Sequence, residues 1–229
     1  MTKIAIITAM ESEYNSIFSL YDFKQEDDVV TAMAHGKKIE LIKSGIGKVN
    51  AALASVKACA RGTDIIINTG LAGGIDTSLN QGDCVLASKI AYHDVWCGNP
   101  NQIGQVQDLP LYFNSPQELL GDILSSAPNN YFKTGLILTG DQFLTDANRL
   151  NEIKKQFPEA LSVDMESAAI AQTCYLNQKQ FLSLRIISDV VGKVGQEDDY
   201  NNFWKNMPKK ASEMVDIVIK AITTNEIHV

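Results

Sequence analysis

The chain has 229 residues, of which 45% are hydrophobic, and its 27 acidic and 20 basic residues give a formal net charge of −7. This size and composition predict a single domain over residues 1–229 with a full hydrophobic core. The acidic balance and the lack of a basic stripe argue against nucleic acid as a partner. No apolar run is long enough to cross a bilayer, so we predict no membrane association.

Short apolar, β-branched runs alternate with helical patterns along the chain. The predicted strands are Lys3–Thr8, Lys38–Ser44, Ile65–Thr69, Cys84–His93, Thr134–Thr139, Leu161–Val163 and Gln180–Ser188. The predicted helices are Glu11–Leu20, Lys48–Arg61, Pro116–Ala127, Ala147–Phe157, Met165–Asn177 and Trp204–Thr224. Because several strands are apolar on both faces, we expect helices on each side of a mostly parallel sheet, in an α/β domain.

The N-terminus and the cysteines indicate where the protein works. The N-terminus opens directly into the first predicted strand, so we predict no signal peptide. The four cysteines are scattered, with no close pair and no histidine at metal-ligand spacing. We therefore predict reduced thiols, a cytoplasmic location and no metal site.

Two loops are candidates to close over a ligand. Tyr92–Ser115 is long and rich in Asn, Gln, Gly and Pro, and a connection of that length in a compact domain is usually functional. It also carries eight large apolar residues, too many for a loop left in water, so we predict a homodimer in which this segment borders the partner's pocket. The second loop, Val191–Asp199, follows the last predicted strand.

Glycines follow three predicted strands, in Ser44–Gly47, Thr69–Gly74 and Thr139–Asp141. Glycine there allows a ligand to approach the backbone, although an ordinary tight turn is the better explanation of each one by itself. None fits the phosphate-binding or dinucleotide-binding patterns, so no nucleotide cofactor is predicted.

Two carboxylates stand where predicted strands end. Glu166 comes just after the run Ala160–Val163, and Asp189 ends the run Phe181–Ile187. Ligands of open α/β sheets bind at such strand ends, so this pair predicts a small-molecule site. A helix cap or a solvated loop residue would explain either one alone.

Seven ordered motifs resemble those of the methylthioadenosine/S-adenosylhomocysteine nucleosidases, which belong to the nucleoside phosphorylase superfamily. They are Ala9–Glu13, Lys43–Val49, Ile67–Gly74, Tyr92–Asp94, Thr139–Phe143, Val163–Glu166 and Arg185–Val190. The resemblance implies a three-layer α/β/α fold around a mixed, partly barrel-like sheet, and a homodimer. It also implies hydrolysis of the bond between adenine and a 5′-thioribose, without a cofactor.

The resemblance also implies roles for three carboxyl groups. Asp189 resembles the acid that protonates adenine as it leaves, with Ser188 orienting it. Glu13 resembles the base that activates water, although a Glu in the first turn of a helix is otherwise unremarkable. Glu166 resembles the group that binds the ribose hydroxyls and stabilises positive charge on the sugar.

The remaining matched positions would bind substrate. Phe143 resembles the residue that stacks on adenine, and the backbone of Leu144 the group that reads its edge. Arg185 would hold the water or Glu166, or it would instead form an ion pair within the sheet. The other positions match residues that wall the pocket: Ala9, Ile46, Met165 and Tyr200.

The sequence departs from the family pattern at two places. Leu71 stands where many members have a small polar residue, and Val95–Pro100 is less acidic and aromatic than expected.

Three further functions therefore stay open. A purine nucleoside phosphorylase would need cationic groups around phosphate, whereas the first turn offers Glu11 and Glu13. A futalosine-type nucleosidase and a nucleoside-binding homologue with weakened catalysis are the second and the third.

Overall fold

The computed structural model describes residues 1–191, 203 and 207–222. Its strands are β1 (Lys3–Thr8), β2 (Lys24–Glu26), β3 (Val29–Ala34), β4 (Lys37–Lys43), β5 (Ile65–Gly74), β6 (Cys84–Tyr92), β7 (Phe113–Asn114), β8 (Phe132–Thr139), β9 (Ala160–Asp164) and β10 (Gln180–Val190). Its helices are α1 (Glu11–Phe18), α2 (Lys48–Ala60), α3 (Gln117–Ser126), α4 (Ala147–Gln156), α5 (Ser167–Leu176) and α6 (Met207–Ala221). None of the helices in these ranges is long and apolar enough to span a membrane.

The strands form one mixed sheet that partly closes on itself. β5 pairs in parallel with β1 and β10, and β8 pairs in parallel with β6 and β9. Antiparallel pairing of β10 with β6 and of β5 with β9 closes a five-stranded barrel. The predicted fold class, with its mixed and partly barrel-like sheet, is confirmed.

Helices cover both faces of the sheet because its strands are apolar on both sides. Ile4 and Ile6 of β1 face a core with buried residues of α1, α3 and α6, whereas Ala5 and Ile7 face a core with α2 and α5. Successive strand residues point to opposite faces, so one strand serves two cores. The buried helix residues on the second face are mostly alanines, which let α2 and α5 pack closely against each other.

Three strands were not predicted, and a fourth is longer than predicted. β2 is fully exposed and β7 has only two residues, so neither has a continuous apolar run. β3 is a largely apolar run of six residues that was not recognised as a strand. Thr69–Gly74, predicted to be a turn, continues β5 as a strand paired with β10 and β9. Its small residues and glycines sit in the interior of the barrel wall, where neighbouring side chains leave no room for larger ones.

The segment Tyr92–Ser115 packs on its own chain more than we expected. Val95, Val106 and Leu109 pack against the core shared by α2 and α5, in which Phe113 is buried. Only Trp96 and Ile103, 62% and 38% exposed, remain as large exposed apolar residues of this segment. Most of its apolar surface therefore needs no partner subunit, and this segment gives only weak support for a dimer.

Candidate active site

A cavity of about 350 Å³ opens at the carboxyl ends of β1, β8, β9 and β10. β1, β5 and β10 are parallel to one another, and so are β8 and β9. The antiparallel pairing of Gly73 and Gly74 with Val163 and Ser162 brings the carboxyl ends of the two sets together. The lining residues are Ala9, Met10, Glu13, Ile46, Leu71, Ala72, Gly73, Gln142, Phe143, Leu144, Val163, Asp164, Met165, Glu166, Ser188, Asp189 and Val191.

Glu13 lies in the first turn of α1 and is only 4% exposed. Its Oε2 accepts hydrogen bonds from the backbone amides of Ala9 and Met10, and its Oε1 accepts one from Leu71, each at 3.0 Å. A Glu that reaches back to the amide preceding its helix is a common helix-capping arrangement. Since a carboxylate has about four acceptor sites, this one retains capacity for one more donor.

Burial and a neighbouring guanidinium act on Glu13 in opposite directions. Burial is the larger influence and raises the pKa of Glu13, while the charge of Arg185 and the three backbone amides partly offset it. Both groups lie over Gly70, where a Cβ atom would clash with Glu13 Oε1 and come within 2.9 Å of Arg185 Nη1. Only glycine fits at this position.

Arg185 lies behind the cavity wall and is 1% exposed. Its Nε donates to Asp164 Oδ2 at 2.8 Å, and its Nη2 donates to the side chains of Asn68 and Ser167. Its Nη2 is also 3.6 Å from Glu166 Oε2. The sequence left open whether Arg185 forms an ion pair within the sheet or contacts Glu166, and the structure shows both.

Asp164 is the buried counterion that the sequence analysis did not identify. Besides Arg185, it accepts hydrogen bonds from the hydroxyls of Thr139 and Ser167. Burial opposes its ionisation, but Arg185 and the two hydroxyls hold the pKa of Asp164 below its usual value. A carboxylate beside the predicted Glu166 was visible in the sequence, but nothing local showed that it faces Arg185 across the barrel.

Glu166 immediately precedes α5 and is 6% exposed. Burial raises the pKa of Glu166 to about 7, with Asp164 and Glu13 adding to the shift, and Arg185 and the amide of Gly47 opposing it. The Gly47 amide donates to Oε1 at 3.0 Å. The carboxyl is therefore near its titration point at neutral pH and borders the cavity with acceptor capacity to spare.

Asp189 lies in an irregular part of β10 and is 2% exposed. The pairing of β10 with β5 shifts register between Ile187 and Asp189, which marks a β-bulge. Bulges redirect side chains, and here Ser188 and Asp189 both reach the cavity. The Ser188 hydroxyl is 2.5 Å from Asp189 Oδ1 and 3.3 Å from the carbonyl oxygen of Ala72.

The outer wall of the cavity is apolar and more exposed. Phe143 and Ile46 are 53% and 52% exposed, whereas Leu144 is buried and Met165 half-buried. Together with Ala9 and Met10 they give this side of the cavity an apolar lining. Such a lining suits an aromatic group such as a purine.

Most predicted site residues meet at this cavity. Glu13, Glu166 and Asp189 line it, as do Ala9, Ile46, Phe143, Leu144, Met165 and Ser188. Arg185 does not line it but lies behind it, and Tyr200 lies outside the described residues. Gln142, Val163 and Asp164 line the cavity without having been predicted.

The lining residues that the structure describes include four carboxyl groups and no Lys, Arg or His. Such a cavity disfavours a phosphate dianion and favours a neutral or cationic ligand. Two carboxyl groups with separate hydrogen-bond environments can act as acid and base on opposite sides of one bond.

Comparison with known proteins identifies the family to which the chain is similar. The family model of the phosphorylase superfamily matches residues 3–223. The methylthioadenosine/S-adenosylhomocysteine nucleosidase of Staphylococcus haemolyticus is 36% identical over 96% of this chain and 100% of its own length.

Solved structures agree in fold. The structure of the Streptococcus pneumoniae nucleosidase with the transition-state inhibitor MT-ImmA has a TM-score of 0.92 and 30% identity, covering 97% of this chain and 100% of that chain. The Colwellia psychrerythraea nucleosidase in complex with adenine has a TM-score of 0.84 and 30% identity, covering 96% and 95%. With matches over nearly its whole length, this chain belongs to the methylthioadenosine/S-adenosylhomocysteine nucleosidase family of the phosphorylase superfamily.

Proposed function

We propose that this protein hydrolyses the N-glycosidic bond of 5′-methylthioadenosine and S-adenosylhomocysteine, releasing adenine and a 5-thioribose. The observation that carries the proposal is the cavity in which Glu13, Glu166 and Asp189 meet beside an apolar wall. The names and ligands of the relatives support it, since one was solved with adenine and another with a transition-state inhibitor.

Asp189 acts as the general acid in this proposal. As the bond between C1′ and N9 breaks, its electron pair moves into the adenine ring, and Asp189 donates a proton to N7 so that adenine leaves neutral. The β-bulge and Ser188 orient the carboxyl for this transfer. The sugar left behind has oxocarbenium character at C1′.

Glu13 acts as the base. Water attacks C1′ and gives its proton to the acceptor site that the three backbone amides leave open on Glu13. Burial raises the pKa of Glu13, and a raised pKa makes it a stronger base for this step. The charge of Arg185 favours the ionised carboxyl that must accept this proton, and the three backbone amides hold it in place.

Glu166 binds the ribose hydroxyls and, once ionised, stabilises the cationic sugar. Phe143 stacks on adenine, and the backbone of Leu144 hydrogen-bonds its edge. Ile46, Ala9 and Met165 close the pocket around the sugar and base. Leu71 contributes its amide to Glu13, a role that its large apolar side chain does not impair.

Hydrolysis is preferred to phosphorolysis because of the charges at the site. A phosphorylase must hold a dianion beside C1′, whereas the described lining residues offer carboxylates and no cation. Glu11, predicted to add to the repulsion, instead pairs with Lys43 outside the cavity. The preference for water over phosphate as the nucleophile therefore depends on Glu13 and Glu166.

The test is to incubate the protein with methylthioadenosine, with and without phosphate, and to identify the sugar product. We expect adenine and methylthioribose at the same rate in both samples. A strict requirement for phosphate, with a ribose 1-phosphate as product, would overturn the proposal. Adenine binding without any turnover would instead support a nucleoside-binding protein with weakened catalysis.

We also propose a two-fold homodimer, with an exposed apolar stripe of α2 in its interface. Val49, Leu53 and Val56 form an exposed apolar stripe on α2, each more than half exposed. The stripe continues into Ile46 at the mouth of the cavity, so a second copy docked there would border the pocket.

Sedimentation at micromolar concentration tests the dimer. Leu53→Arg should shift the protein to a monomer, whereas Met33→Arg should not, because Met33 is equally exposed but lies on β3, away from the stripe. A monomeric wild-type protein would contradict the proposal.

Four free cysteines fit a reducing, cytoplasmic location, and release of a thioribose fits a role in methionine salvage.

A further inference from the structure

The wall that would hold adenine is a short loop that carries Phe143 and Leu144. Residues 140–144 follow β8 and precede α4 without regular secondary structure. Within it, the Gly140 amide donates to the Asp164 carbonyl at 3.1 Å, and the Gln142 amide donates to the Gly140 carbonyl at 2.8 Å. Phe143 is more than half exposed, so packing alone does not hold it in place.

An ionic cluster outside the cavity attaches this loop to its neighbours. Asp94 Oδ2 accepts a hydrogen bond from the Asp141 amide at 2.9 Å and from Lys48 Nζ at 2.7 Å. Asp141 in turn caps α2, because its Oδ1 accepts the Lys48 amide at 2.9 Å. The Asp94 side chain is 15% exposed and the Lys48 side chain 23%, so solvent screens this cluster only partly.

The same cluster reaches the carboxyl proposed to bind ribose. Lys48 begins α2, and the preceding Gly47 donates its amide to Glu166 Oε1 at 3.0 Å. Asp141 Oδ1 also lies 3.1 Å from where a Cβ atom on Gly47 would be. One carboxylate, Asp94, therefore binds two walls: the loop that carries Phe143, through Asp141, and the start of α2, through Lys48.

We infer that Asp94 is a positioning residue for nucleoside recognition, acting through Asp141 and Lys48 on the adenine loop and the start of α2. The inference rests on the proposed function for its substrate. Asp94 does not line the cavity, so its effect must pass through these two partners. Misplacing recognition groups by about 1 Å can cost on the order of 100-fold in catalytic efficiency.

The hydrogen bonds of Asp94 allow a graded series of variants. All of its described bonds use Oδ2, and Oδ1 is buried without a partner among the described residues. Asp94→Asn keeps an acceptor for the Asp141 amide but removes the charge that faces Lys48. Asp94→Ala removes both the acceptor and the charge.

We expect KM for methylthioadenosine and the dissociation constant of adenine to rise about tenfold or more in Asp94→Ala, and less in Asp94→Asn. kcat should change less than KM, because Asp94 contacts neither Glu13 nor Asp189. Glu159→Gln is the matched control, since Glu159 pairs with Lys89 at 2.9 Å on the surface and touches neither wall. It should leave all constants unchanged.

A double-mutant cycle separates positioning from general loss of structure. If Asp94 acts through Asp141, Asp94→Ala and Asp141→Ala should be strongly non-additive in adenine affinity, with melting temperatures close to that of the wild type. Additive effects, or an unchanged adenine dissociation constant in Asp94→Ala, would overturn the inference. Calorimetric titration with adenine needs no turnover, so a wild type that binds adenine without hydrolysing methylthioadenosine would refute the proposed function alone.

Discussion

The inner and outer walls of the cavity differ in the burial of their side chains and in the contacts around them. On the inner wall, Glu13, Glu166 and Asp189 are each at most 6% exposed and accept hydrogen bonds, with Arg185 buried behind them. On the outer wall, Phe143 and Ile46 are more than half exposed, and the inferred support is a partly solvated ionic cluster. The groups proposed for chemistry are thus more tightly packed before substrate arrives than the groups proposed for recognition.

The physical reason is the cost of reorganisation. Preorganised groups in a water-excluded site stabilise developing charge without moving at the moment of reaction. Recognition of a flat base needs contact area instead, and a side chain at the cavity mouth supplies it while substrate enters and leaves. Substitutions on the inner wall should therefore alter the reaction rate or the stability of the fold. Substitutions on the outer wall should alter the affinity for the ligand.

The largest effect is expected from the two groups proposed for proton transfer. Asp189→Asn and Glu13→Gln keep the shape of the side chain but remove the acid and the base. Each should lower kcat by at least ~10²–10⁴-fold while the protein still binds nucleoside. Steady-state kinetics together with adenine titration measures both quantities, and near-normal turnover in Asp189→Asn would contradict the assignment.

The next largest effect concerns folding of the inner wall. Asp164→Asn would leave the fully buried Arg185 without its closest counterion. Removing one partner of a buried ion pair typically costs about 3–5 kcal/mol. We expect the urea midpoint to fall accordingly, measured against Glu159→Gln as a surface ion-pair control. A stability loss as small as that of the control would show that Asn68 and Glu166 suffice to hold Arg185.

An intermediate effect is expected on the outer wall. Phe143→Ala should weaken adenine binding by ~1–3 kcal/mol, the usual contribution of an aromatic side chain stacked on a base. Because Phe143 is more than half exposed, the melting temperature should hardly change. Calorimetry with adenine gives the affinity, and an unchanged value would remove Phe143 from the recognition surface.

A pH effect should distinguish Glu166 from ordinary carboxylates. Its pKa in the folded protein is about 7, above the usual 4.5, so the folded state binds this proton more tightly than the unfolded state. Its contribution to stability is therefore complete below about pH 4.5 and is lost as the pH rises through about 7. Glu166→Gln should flatten the decline in the free energy of unfolding between these values, leaving the part due to Glu13. If the free energy of unfolding of the variant fell with pH as steeply as that of the wild type, the prediction would be contradicted.

The smallest effect is expected at Glu11, two residues from the proposed base. Its side chain is 63% exposed and pairs with Lys43 outside the cavity. Exposed ion pairs contribute about 0–1 kcal/mol, so Glu11→Gln should leave kcat and stability nearly unchanged. If Glu11→Gln were as damaging as Glu13→Gln, the division between buried and exposed carboxylates would be wrong.

Much of the site was predictable because its residues lie next to strand ends. Strands apolar on both faces showed the α/β class, and the motifs around Glu13, Glu166 and Asp189 placed three carboxyl groups beside such ends. All three line one cavity. The edge strand β2 was missed because its residues are exposed and polar, without an apolar run.

By itself, the sequence determined the fold class, the family resemblance and the identity of most cavity residues, since local patterns and motifs carry that information. Only the tertiary structure decided that Asp164 neutralises Arg185 across the barrel, and that Asp94 reaches Asp141 and Lys48. It also decided that Thr69–Gly74 is strand and that Tyr92–Ser115 packs on its own core. These contacts join residues far apart in the chain, and their energies depend on distance and burial, which no local pattern records.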